Sequence, residues 1–217
     1  MLNSIRLYYF DVTQGNKTGI KVLANRFGLK KALTLGMKLQ WQMLVASPFR
    51  SLNAAHKPDR NQKLSQRQMA PVIILYQDFQ EMGLSRDESL EVLRELISEV
   101  ATGFLKFNIP TIKKSEYSAI PQTEKLQLLR RLTGRFFNAE ADLTLDKSDN
   151  FTFSVHHCHF ASYCKTLNLP ELAPLFCAAD KQFFDDYQDD IVFFRTRTLA
   201  NGDSHCDFRF TWQSDAD

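Results

Sequence analysis

Three stretches near the end of the chain, FTFSVHHCHFASYC (151–164), PELAPLFCAAD (170–180) and RTRTLANGDSHCDFRF (195–210), hold all four cysteines and the most constrained spacings. In the first, Phe151, Phe153 and Val155 alternate with polar residues, the pattern of a strand with one buried face. The strand delivers Cys158 to its end, just before a helical pattern with Phe160, Tyr163, Cys164 and Leu167. In the third, two alternating runs flank Asn201-Gly202, a strong short-range hairpin signal. A two-residue loop closed by Ala200 and Asp203 sets Thr198 against His205, Arg197 against Cys206, Thr196 against Asp207 and Arg195 against Phe208. One face of this hairpin then carries Phe193, Arg195, Arg197, Cys206, Phe208 and Phe210, apolar apart from a thiol and two arginines. Arginine is rarely buried unpaired, so an inward Arg195 or Arg197 requires Asp180, Asp207 or an anionic ligand.

The middle stretch has the spacing C-x-x-D, which on a helix stacks the Cys177 thiol and the Asp180 carboxylate one turn apart on the same face. Pro170 suits the start of that helix, and Leu175, Phe176, Phe183, Phe184 and Tyr187 read as core around it. Upstream, residues 143–155 alternate like a hairpin interrupted at 147–150, and Gln122–Phe137 reads as a helix. Met69–Met82 is a helix stopped at Gly83; Ser85 and Glu88 form a capping box for the next, whose core residues Leu90, Leu93, Ile97, Val100 and Phe104 follow at three- and four-residue steps. Residues 17–46 are helical in period, with Lys21, Lys31 and Lys38 among the polar positions. Residues 47–68, polar and carrying Pro48 and Pro58, read as a linker or mobile loop. Helices followed by antiparallel strands imply an α+β fold, an N-terminal helical layer and then an antiparallel sheet with helices packed on one side. The expected division is a basic helical extension and linker over 1–68 and an α+β domain over 69–217, or one continuous domain.

At 217 residues and 44% hydrophobic, the chain can bury a full core. It shows neither an apolar run long enough to span a bilayer nor the order of a signal peptide, so the expectation is a cytoplasmic protein with reduced thiols. Net charge is +2, unevenly placed. Residues 1–60 carry ten Lys or Arg against Asp11 and Asp59, a balance of +8; residues 138–217 carry six basic against fourteen acidic residues, a balance of −8. The basic helices are expected to dock on acidic surface of this chain or of a second copy, with an anionic membrane surface, met through residues 17–46, as the sharper alternative. No nucleic-acid recognition motif, glycine-rich phosphate loop or zinc-knuckle spacing is present, so nucleic acid is not expected as a partner.

Taken in order, Cys158, the F-C-x-x-D of Phe176–Asp180, the R-T-x-T of Arg195–Thr198 and the G-x-x-x-C-D-F-R of Gly202–Arg209 resemble the L-2-amino-thiazoline-4-carboxylic acid hydrolase family. The resemblance extends into ILYQDFQEMGLSRDESLEVLREL (74–96) and leaves the first sixty or so residues unmatched. It implies hydrolysis of a C–N bond in a small cyclic amidine-like substrate that carries a carboxylate. On that reading Cys177 or Cys206 is the nucleophile or shapes the site, and Asp180 or Asp207 is the general base and later the acid. Arg195 or Arg197 grips the substrate carboxylate through a paired hydrogen-bond fork, with Thr198 and Cys158 also lining the substrate site. Thiolate and activated water both remain open as attacking groups.

No cofactor is required by this chemistry. A zinc site built from Cys158, Cys177, Cys206 and Asp180 or a histidine is the alternative, although it lacks any C-x-x-C or H-x-x-x-H pair. Outside catalysis, the layout also resembles the 4-vinyl-reductase-type small-molecule-binding domains, which implies a ligand sensor; a third class is a peripheral membrane or scaffold protein using the basic N-terminal half.

Overall fold

Helices fill the first half of the chain and a sheet dominates the second, the order expected of an α+β protein. The computed structural model describes residues 2–146 and 149–213, and the chain divides into two units, Met1–Phe104 and Leu105–Asp217. In the first, α1 (Leu2–Phe10) runs through a π-type turn at Asp11–Gly15 into α2 (Asn16–Phe27). Gly28 then takes φ +82°, a left-handed conformation that costs other residues a steric clash. It ends α2 and lets α3 (Leu29–Val45) begin at once, packed on α2.

The stretch expected to be a linker is instead helical, and the reason lies in side-chain hydrogen bonds. Helix α4 (Arg50–Ala55) precedes α5 (Arg60–Glu81). Asp59 and Gln62 form a reciprocal capping box that starts α5. Asn53 and Gln66 exchange two amide hydrogen bonds of 2.9 and 2.8 Å, which lets Gln66 be buried without an apolar pattern to announce it. Pro48 and Pro58 fall between helices, while Pro71 sits inside α5. Helix α6 (Arg86–Asn108) starts at the expected Ser85–Glu88 box, with Ser85 N donating to Glu88 Oε2 at 2.8 Å.

The second unit adds α7 (Lys114–Ala119), α8 (Gln122–Thr133), β1 (Ala139–Leu145), β2 (Phe151–Cys158), α9 (His159–Thr166), a 3-10 turn at Pro170–Leu172, α10 (Ala173–Tyr187), β3 (Ile191–Phe194) and β4 (Cys206–Trp212). The four strands form one antiparallel sheet in the order β1-β2-β4-β3. Phe151, Phe153, Ile191, Phe193 and Phe210 point to one face and form a core with Tyr117 from α7 and Leu129 from α8; Phe184 of α10 meets the rings of Phe193 and Phe210 at 5.0 and 4.8 Å. The opposite face, with Thr152, His156, Val192, Phe194 and Arg209, is exposed. Helices therefore cover one side only, as alternation along the strands requires.

The β3–β4 pairing keeps the expected register, with Phe193 opposite Phe210 and Phe194 opposite Arg209. The ladder stops there, and the tight two-residue loop does not form. Side chains have taken the backbone groups that a ladder would use. Asp207 accepts from the N–H of Thr196 and of Arg197, Asp203 accepts from the N–H of Thr198, and the Thr198 hydroxyl accepts from Asn201 N–H to cap a 3-10 turn at Leu199–Asn201. Gly202 closes the turn at φ +91°. No helix among the described residues is long and apolar enough to cross a membrane.

Candidate functional site

The site begins with an irregularity in the sheet. On β1, Glu140 pairs with His157 and Ala141 with Val155, so His156 is an extra residue and β2 carries a bulge. In an unbroken strand Val155 and Cys158, three apart, point to opposite faces. The additional residue shifts that alternation, as bulges near functional sites often do, and brings Cys158 to the side occupied by Cys206. Cys206 itself lies opposite Val155 at the start of β4. Because Cys158 immediately precedes α9, the N–H groups of Phe160 and Ala161 in the first turn face its sulfur. Helix N-terminal donors of this kind favour a thiolate.

Helix α10 supplies the second wall. Cys177 and Asp180 sit one turn apart on it, and Arg195, just beyond the end of β3, closes over both. Its Nη1 donates to Asp180 Oδ2 at 3.2 Å and its Nη2 to the Cys177 carbonyl at 3.1 Å. The guanidinium lies 5.6 Å from the Phe193 ring centre and 5.1 Å from that of Phe208, within range for cation–π attraction. Arg195 is thus held on two sides by aromatic rings and at its tip by α10. Opposite, Cys206 Sγ accepts the Leu199 N–H at 3.3 Å.

These groups act on one another electrostatically. The Cys177 thiol is pushed upward, first by burial and then by the Asp180 charge, with Arg195 opposing and Cys158 and Cys206 adding to the rise. Burial also raises Cys158 and Cys206, against the backbone N–H groups that face each sulfur. Asp180 is raised to about 6, because desolvation outweighs the pull of Arg195. The cluster is not sealed: the Asp180 side chain keeps 26% of its exposure, and Cys158 and Cys177 are half-buried. All four cysteines are free, and Cys164, 1% exposed, is a packing residue raised to about 12 by burial.

Three expected site residues lie elsewhere. Asp207 follows Cys206 on a strand and so points to the other face of the sheet, where it accepts the Thr196 hydroxyl at 2.6 Å and Arg209 Nη2 at 3.1 Å besides its backbone donors. Burial works against its charge, yet the Thr196 hydroxyl and the N–H groups of Arg197 and Thr196 hold it down at about 2. Such a weakly basic carboxylate is a clasp for the loop. Arg197 is exposed, its own N–H bound to Asp207, because the strand pairing that would have set it across from Cys206 has ended. Thr198 is buried, and its hydroxyl is used as the cap of the 3-10 turn. Sequence reasoning missed the donors of Phe160 and Ala161, which the pattern of a strand-end Cys before a helix could have signalled, and that of Leu199, which no such pattern marks.

The bulge keeps His156 and His157 from dividing as adjacent strand residues do. His156 lies 3.7 and 3.8 Å from Glu140 and Asp142, and His157 also lies 3.9 Å from Glu140 while its ring meets that of His159 edge-on at 4.9 Å. Among the described residues, no three of His, Cys, Asp and Glu are grouped so as to hold a metal ion.

A family model described as L-2-amino-thiazoline-4-carboxylic acid hydrolase matches residues 62–210. Neither the curated proteins nor the solved structures yield a match. The matched stretch covers more than half of the chain and contains every member of the cluster just described, from Cys158 to Cys206. The chain belongs to the L-2-amino-thiazoline-4-carboxylic acid hydrolase family.

Proposed function

We propose that this chain hydrolyses a C–N bond in a small cyclic amidine-like substrate bearing a carboxylate, with Asp180 as the group that carries the proton. The observation behind the reading is the pairing of Asp180 with Arg195 among three thiols, at a place that solvent still reaches. A carboxylate raised to about 6 is ionised at neutral pH yet far more basic than an ordinary aspartate, which suits it to take a proton and return it. A sensor pocket has little use for such a group, being mostly apolar with few titrating side chains.

In this mechanism Asp180 accepts a proton from water as the water oxygen bonds to the amidine carbon. The C=N electron pair moves onto the ring nitrogen, which takes that proton from Asp180. The tetrahedral intermediate then collapses as Asp180 removes its hydroxyl proton, the C=O bond forms and the C–N bond breaks, and Asp180 gives this second proton to the departing nitrogen. Water is preferred to a thiolate as the attacking group because burial keeps Cys177 and Cys206 protonated; in this mechanism the thiols flank the ring without attacking it. Arg195 holds Asp180 in its charged form, and the remaining N–H donors of its planar fork are the candidates to hold the substrate carboxylate.

The test uses 2-aminothiazoline-4-carboxylate with the full chain. Asp180→Asn is expected to lower kcat by about a hundred- to ten-thousand-fold, the range for a lost general base, while substrate still raises the melting temperature. Cys177→Ala and Cys206→Ala are expected to act mainly on KM. Undiminished turnover in Asp180→Asn rules the mechanism out.

A further inference from the structure

Between Val12 and Pro58 the sequence contains eight Lys or Arg and no Asp or Glu, and all of that stretch lies outside the matched residues 62–210. Its two packed helices, α2 and α3, therefore form a purely cationic hairpin. Only part of α3 is used in packing: Ala32 and Leu35 are buried. A second row, Leu29, Leu33, Met37, Trp41 and Leu44, is 48 to 82% exposed. Four- and three-residue steps put these five on one side of the helix, so α3 has two apolar faces and leaves one in solvent. Such a row of large side chains is more than the scattered apolar exposure of an ordinary surface.

Charge decides what kind of surface could cover it. Lys17, Lys21, Lys30 and Lys31 are all exposed. Lys38 is the member of the set tied down, at 2.7 Å from buried Asp78 and 2.9 Å from Glu81. An apolar row that includes a tryptophan, bordered by lysines and free of acidic residues along the hairpin, matches the interfacial layer of a bilayer with anionic headgroups: the row enters the acyl boundary and the lysines meet phosphate. A nucleic-acid backbone would satisfy the lysines and leave the row in water. We propose that α3 docks the protein on an anionic lipid surface through Leu29, Leu33, Met37, Trp41 and Leu44, with Lys30 and Lys31 at the border.

The test is flotation of the full chain with phosphatidylcholine vesicles, with and without phosphatidylserine, alongside light scattering of the free protein. Wild type is expected to float with the anionic vesicles and about tenfold less with neutral ones, and to lose binding as salt is raised. Met37→Gln/Trp41→Gln and Lys30→Gln/Lys31→Gln should each abolish flotation while keeping the wild-type melting curve, since all four positions face solvent. The proposal is overturned if wild type does not float, if neutral vesicles serve as well, or if either variant floats normally. It is also overturned if the free protein is a dimer that Met37→Gln/Trp41→Gln dissociates, because the face is then a contact between two copies.

Discussion

Two carboxylates near β4 are driven in opposite directions by their surroundings. Asp180 rises from 3.8 to about 6 through desolvation that Arg195 only partly offsets. Asp207 falls to about 2, because its hydrogen bonds overcome burial. The consequences for stability have opposite signs. Between 3.8 and about 6 the folded chain binds more protons at Asp180 than the unfolded chain does, so this group weakens the fold as pH rises through that window. Asp207 stabilises the fold above its ordinary value of 3.8, and that contribution is lost as pH falls toward about 2. Replacing Arg195 by Met removes the charge that restrains Asp180, so the acid limb of kcat/KM is predicted to move to higher pH, whereas Arg195→Lys should move it less. A limb unmoved in Arg195→Met would remove Arg195 as the group that sets the Asp180 charge. The pairing of Cys177 with Asp180 was legible from C-x-x-D alone. The placement of Asp207 on the face opposite Cys206 was legible too, since neighbours on a regular strand cannot share a face.

At the scale of elements, the hairpin illustrates what local patterns specify and what they leave open. Alternation and Asn201-Gly202 carried the strand register, which is why Phe193 and Phe210 were correctly opposed. They did not carry the competition by Asp203, Asp207 and Thr198 for backbone N–H groups, which ended the ladder after Phe194 and freed Arg197 into solvent. The bulge at His156 was equally invisible, because no residue type marks it, yet it sets the side to which Cys158 points. The other hairpin is braced by a partly buried ion pair. Lys125 of α8, 8% exposed in its side chain, meets Asp149 at 2.6 Å, and Trp212 donates to the Asp149 carbonyl at 3.0 Å. Breaking a fully buried pair costs about 3–5 kcal/mol. Asp149 keeps 24% of its side-chain exposure, so Lys125→Met is predicted to destabilise by less, about 2 kcal/mol, in urea unfolding. A change below about 0.5 kcal/mol would mean that the pair does not brace the turn.

Across the whole molecule, the order of helices and strands was readable because apolar spacing changes from helical to alternating near residue 143. The helical residues between 50 and 68 were not, since there the chain rests on paired polar side chains such as Asp59 with Gln62 and Asn53 with Gln66. The cluster depends on parts far apart in the sequence: β2 brings Cys158, α10 brings Cys177 and Asp180, the end of β3 brings Arg195, and β4 brings Cys206. Their convergence is a property of the β1-β2-β4-β3 order, which inserts β4 beside β2 and leaves α10 to pack on β3. The most direct test of their joint role is the pH dependence of kcat/KM for ring opening of 2-aminothiazoline-4-carboxylate, measured for wild type and Asp180→Asn. The account predicts a wild-type rate that rises with pH through an apparent pKa near 6 and a residual Asp180→Asn rate without that limb. The same limb at an undiminished rate in Asp180→Asn would contradict it.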